Sequence, residues 1–149
     1  MHDKEISIFT EGLKQAQDEF FIDSIEVFHK LIDAYPDSEL ADDAIYNIGL
    51  CFFQMNQFVK AIEFFNKGIN NYPDATISIL DGGNEFGKTA AKCYFAIVNC
   101  HLAMGNLEKA KENAATIANF SNSYVVVEDK KQSFADLANN AINVYMNNV

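Results

Sequence analysis

Five pairs of residues in this chain share one separation: Gly12 and Gly49, Ser24 and Ala61, Phe28 and Phe65, Tyr35 and Tyr72, and Pro36 and Pro73 are each 37 residues apart. A recurrence on that scale marks an array of like supersecondary units. Each unit cannot bury its apolar face alone and so stacks on its neighbours. The best-preserved unit runs from Ala44 to Pro73. Apolar residues recur at helical spacing on both sides of a short break at Asn56, which predicts two amphipathic helices joined by a turn.

The flanks repeat the plan. From Ile6 to about Gln17, Phe9, Leu13 and Ala16 share one face, opposite Glu11, Lys14, Gln15 and Asp18. From Phe21 to Tyr35, Ile25, Phe28, Leu31 and Ile32 form a stripe. It stops at Pro36, because proline disfavours helical geometry in the residue before it. Asp37 or Ser38 can cap the next helix, and Glu39, Asp42 and Asp43 suit the positive end of its dipole. A third copy runs from Ala91 to about Ser121 and turns at Met104-Gly105-Asn106. Ala61 and Ala110 are 49 apart, so about twelve residues are inserted before this copy. From about Ser123 to Asn147, Phe134, Leu137, Ala138, Ala141, Ile142 and Tyr145 predict a closing helix.

The central unit resembles a tetratricopeptide repeat (TPR). The family pattern of a large apolar residue, then a small one, then A-x3-F and P is met by Ile45, Ile48, Gly49, Phe52, Ala61, Phe65 and Pro73. The resemblance implies an all-α, TPR-type solenoid of three helix hairpins plus a C-terminal capping helix. As one domain over 1–149, it would have repeats at about 5–37, 38–74 and 90–122, an inserted loop at about 75–89 and a capping helix at about 123–147. The 37-residue spacing and the Tyr35-Pro-Asp-Ser38 run before the next helix are similar to bacterial envelope TPR proteins, such as the tol-pal accessory protein and outer-membrane assembly lipoproteins.

In such proteins the first helix of each pair lines a concave, peptide-holding surface. The resemblance carries that role to Phe9, Leu13 and Ala16, then to Asp43, Tyr46, Asn47, Leu50, Phe53 and Gln54. In the third repeat it falls on Lys92, Phe95, Ala96, Asn99 and Leu102. Some members hold a chaperone's terminal carboxylate with five basic and amide residues. At those five places stand Phe9, Leu13, Asn47, Lys92 and Ala96, and only Asn47 and Lys92 agree. The groove therefore reads as apolar and aromatic, with Asn47 and Asn99 able to bond a peptide backbone.

One motif points elsewhere. Gly82-Gly-Asn-Glu-Phe-Gly-Lys-Thr89 fits the phosphate-loop pattern G-x4-G-K-[ST], which would give Gly82, Gly87, Lys88 and Thr89 a nucleotide role. Ile77–Leu80 and Tyr124–Asp129 are strand-like, yet a phosphate loop needs a parallel sheet to fix it, and the surrounding periodicity is helical. His2, His29 and His101 are scattered, and His101 reads as a satisfied core histidine. Cys51, Cys93 and Cys100 read as small core residues. Cys93 and Cys100 lie about 10 Å apart along one helix, beyond disulfide reach.

The expected function is non-catalytic: an interaction or scaffold module holding a peptide or amphipathic helix, without cofactor or metal. The alternatives are an envelope assembly protein, or a nucleotide-binding protein using Gly82–Thr89. A net charge of −10 disfavours nucleic acid. No apolar run approaches the roughly 20 residues of a membrane span. Self-association is a further expected partnership, and the cytoplasm the expected compartment, or the periplasm if a signal has been removed.

Overall fold

The computed structural model describes residues 2–149. Helices α1 (Asp3–Gln17) and α2 (Phe21–Ala34) form a first hairpin, α3 (Ala41–Gln54) and α4 (Phe58–Asn71) a second, and α5 (Thr89–Ala103) and α6 (Leu107–Ile117) a third. Helix α7 (Phe134–Asn147) packs against α5 and α6 and closes the array. Each helix also packs against the next across hairpins, so the chain folds as a succession of nearest neighbours.

The hairpin turns are alike because the backbone enters the left-handed region once in each, at Glu19 (φ 64°), Asn56 (φ 60°) and Gly105 (φ 75°). That conformation stops a helix and reverses the chain within a few residues. Small residues then let the paired helices approach. Ser24 Oγ donates to the Gly12 carbonyl at 2.8 Å, and Ala61 is fully buried at the equivalent place in the second hairpin. Tyr72 Oη reaches back to the Pro36 carbonyl at 2.8 Å, joining the ends of successive units.

The core runs along the stack as three clusters. Phe9, Phe28, Leu31, Leu40 and Ile48 fill its first part, Phe65, Cys93, Ile97 and Cys100 its middle, and Val98, Ile117, Phe134 and Ile142 its far end. Full burial of each such phenylalanine or aliphatic chain contributes about 1.5–3 kcal/mol. All three thiols are free and buried, and burial pushes the Cys100 thiol up to about 12.

Two segments depart from the expected helical plan. The stretch from Ser123 is not helical at first. Strand β2 (Tyr124–Val127) pairs antiparallel with β3 (Lys130–Ser133), and the helix starts only at Phe134, capped by Ser133 Oγ accepting from the Asp136 N–H at 3.0 Å. Ile77–Leu80 is not a strand. A short β1 (Glu85–Phe86) occurs instead at the far side of the inserted segment and pairs with β2 through Glu85–Val125 and Phe86–Tyr124. The sheet order is β1-β2-β3. The insertion is thus stitched at its base, where Thr76 bridges Lys88, and along its return to β2.

Candidate functional site

The first turn of α3 places Asp42 and Asp43 side by side, and both face the inserted segment rather than solvent. Asp42 accepts from the Thr89 hydroxyl at the start of α5. Asp43 Oδ1 accepts from the Ser78 N–H at 3.0 Å. Its Oδ2 is buried with no hydrogen-bond partner among the described residues. Burial raises the Asp43 carboxyl to about 8, helped by the neighbouring charge of Asp42. Asp42 is raised to about 6 by burial, with the Thr89 hydroxyl pulling the other way.

One turn along α3, Asn47 Nδ2 donates to the Asp43 carbonyl at 2.8 Å and to Asp81 Oδ1 at 3.2 Å. From the facing helix α5, Lys92 Nζ donates to Asp81 Oδ2 at 3.0 Å and to Glu85 Oε1 at 2.6 Å. The same ammonium lies 4.1 Å from the centre of the Tyr46 ring, within cation–π range. Asp43, Lys92, Asn47 and Asp81 are only 1, 3, 6 and 6% exposed. Burial works against the Lys92 charge, but Tyr46, Asp81 and Glu85 outweigh it and the net shift is upward. The result is a buried amide–ammonium pair holding one carboxylate, with a second carboxylate on the ammonium.

Beyond this cluster the concave face is open in two places. A cleft of about 370 Å³ lies between α1 and α3, with Leu13, Ala16 and Leu50 among its walls and Gln17 and Gln54 at its edge. A smaller depression of about 60 Å³, between α3 and α5, is lined by Tyr46, Leu50, Phe53, Phe95, Ala96 and Asn99. Leu50 belongs to both.

Residues 43–75 match the tetratricopeptide repeat family. The whole chain is similar in structure to PcrH from Pseudomonas aeruginosa, with a TM-score of 0.68 at 14% identity over 98% of this chain and 94% of that one. The fold is a TPR-type α-solenoid. A second likeness is to SycD, the Yersinia enterocolitica type III secretion chaperone, in complex with a peptide of the translocator YopD. Its TM-score is 0.67 at 16% identity, over 99% of this chain and 93% of that one. A third is to the first TPR of Spaghetti (RPAP3) bound to an HSP90 peptide, with a TM-score of 0.65 at 16% identity, over 97% and 92%. No curated protein matches the chain in sequence.

Within this TPR frame the expected groove residues do not all reach the open surface. Leu13, Leu50 and Gln54 line the α1–α3 cleft, and Tyr46, Phe53, Phe95 and Asn99 line the α3–α5 depression. Asp43 and Lys92, expected on the groove surface, are buried under the insertion, whereas Asn47 lines the α1–α3 cleft while its amide reaches Asp81. Phe9, also expected there, is fully buried with its ring 5.6 Å from Phe28, because its face of α1 turns toward α2.

The phosphate-loop lookalike is engaged otherwise. Gly87 (φ 105°) packs against Ser123 and Asn122, leaving no room for a side chain. Lys88 Nζ donates to the Asp74 carbonyl at 2.9 Å, its backbone N–H to Ser123 Oγ at 3.0 Å, and the Thr89 hydroxyl to Asp42. Gly82 lies on the exposed tip, and among the described residues no parallel strand precedes it. These donors are spent fastening the insertion to the TPR frame.

His101, expected as a satisfied core histidine, is buried, but its Nδ1 finds no partner among the described residues. Among those residues no group of three or more His, Cys, Asp or Glu is placed to hold a metal ion. Asp81 and Glu85 are the site residues that sequence reasoning missed. An acid in a glycine-containing loop carries no local sign that it will be buried.

Proposed function

We propose that this chain is a non-catalytic protein-interaction module that holds an apolar peptide or amphipathic helix on its concave face. The carrying observation is the cleft between α1 and α3, walled by Leu13, Ala16 and Leu50 and edged by amide side chains. Apolar walls supply affinity by burial, while Gln17 and Gln54 can bond a peptide backbone and fix its register. Solved structures of like fold support the reading, since PcrH is seen with the chaperone-binding region of PopD and SycD with a YopD peptide.

The cleft is tested by capture from native lysate with wild type, Leu50→Arg and Gln54→Arg. A charge on Leu50 or a bulky one at Gln54 removes at least nine-tenths of the specifically captured protein while circular dichroism is unchanged. Capture by both variants at wild-type level rules the cleft out. The 37-residue spacing and the Tyr-Pro-Asp joints favour, as a second reading, a module of cell-envelope assembly. Fractionation of the producing cell decides between that compartment and the cytoplasm.

A further inference from the structure

The insertion contributes no buried apolar side chain between Ser78 and Phe86. Ile79 is 75% exposed and Leu80 38%, while the only buried residue of the tip is Asp81. What holds the tip down is mainly polar: Ser78 to Asp43, Asp81 to Asn47 and Lys92, Glu85 to Lys92, and the short β1–β2 pairing, with the partly exposed Phe86 ring stacked 5.4 Å from Tyr124 beside them. Polar bonds of this kind can be exchanged for equivalent bonds from another chain with little net change, whereas buried apolar area cannot.

Beneath the tip lie Tyr46, Asn47 and Lys92. Tyr46 is continuous with Leu50, Phe53 and Phe95 of the open depression. Lifting the tip therefore lengthens the apolar groove toward the start of α3 and α5. It also uncovers a seat shaped for a carboxylate, since Asn47 and Lys92 already grip the two oxygens of one.

Resting on the peptide-binding reading above, we propose that the Ile77–Phe86 segment is a displaceable ligand built into the chain. Asp81 fills a carboxylate seat formed by Asn47 and Lys92, and a partner peptide takes that seat by supplying a carboxylate of its own. The partner must carry the acid, because an apolar segment alone would leave Lys92 buried and unpaired, which is strongly unfavourable. Tethering makes the segment a strong competitor, with an effective concentration on the order of millimolar for a short flexible link. The groove of the resting protein is accordingly the short one, and acid-bearing partners gain the longer one.

The probe is a fluorescein-labelled synthetic peptide with the chain's own sequence from Ile77 to Phe86, titrated by fluorescence anisotropy. Wild type is compared with Asp81→Ala and with a form in which residues 78–86 are replaced by a glycine–serine linker of equal length. Both opened forms bind the peptide at least tenfold more tightly than wild type. A peptide with Asn at the Asp81 position loses that gain. In Asp81→Ala, amide hydrogen exchange across 78–86 accelerates at least tenfold while the helices keep their protection. Equal affinity for wild type and both opened forms, or indifference to the Asn replacement, overturns the proposal. Gln54→Arg lies outside the seat, so its effect on lysate capture reports separately on the α1–α3 cleft.

Discussion

The ring of Phe65 stands where a side chain on Gly49 would be. A Cβ added there lies 2.6 Å from a ring carbon, and the Phe28 ring stands against Gly12 at the same 2.6 Å. Both rings are fully buried, so neither can swing into solvent to make room. Gly49→Ala is expected to destabilise the fold by about 1–3 kcal/mol, the usual cost of overfilling a packed core. Urea unfolding measures it, and Gly49→Ala with Phe65→Leu recovers part of the loss.

Lys92 is the single cation of the buried cluster. Lys92→Ala leaves Asp81 and Glu85 without a counter-charge and is expected to cost about 3–5 kcal/mol. Replacing all three groups with neutral ones, as Lys92→Met, Asp81→Asn and Glu85→Gln, is expected to cost much less. Chemical denaturation of the single and triple variants gives the comparison.

Asp43 makes stability depend on pH. Its carboxyl is raised to about 8 in the fold by burial and by Asp42, against about 4 in an unfolded chain. The folded state therefore holds a proton that the unfolded state releases, and stability falls as pH rises from about 4 through about 8. Asp43→Asn keeps an acceptor for the Ser78 N–H and cannot ionise. Its melting temperature is expected to match wild type near pH 4.5 and to exceed it by several degrees at pH 8.5, at about 2–4 °C per kcal/mol for a chain of this size. Scanning calorimetry at the two pH values measures that difference.

The three hairpin turns place Glu19, Asn56 and Gly105 in one left-handed conformation, and Glu19 suits it least. Glu19→Gly relieves that conflict and is expected to stabilise by about 0.5–1 kcal/mol, while Gly105→Ala loses a similar amount. Thermal melts of both variants should move in opposite directions.

Much of this fold is written locally. Gly49, Ala61 and Phe65 carry the hairpin in their spacing, and Pro36 and Pro73 mark where helices must end. The cap at Ser133 was equally readable, since Ser followed three residues later by Asp136 announces a helix start there rather than at 123. The sheet was not. Tyr124–Val127 is visibly strand-like, but its partner β1 is two residues long and about forty positions away, too short to show any period. The buried cluster is hidden for a related reason. Acids in the first turn of α3 have a sufficient explanation in the helix dipole, so nothing in the chain signals that Asn47 will meet Asp81 across 34 positions.

The pairing of β1 with β2 has a consequence for how the molecule comes apart. The two strands lie on either side of the third hairpin in sequence and meet in space, so they close a loop of chain that contains α5 and α6. A linear array can shed its terminal units one by one. Here the third hairpin cannot open without also parting β1 from β2, which ties α5 and α6 into one cooperative unit, while α7 lies beyond that closure.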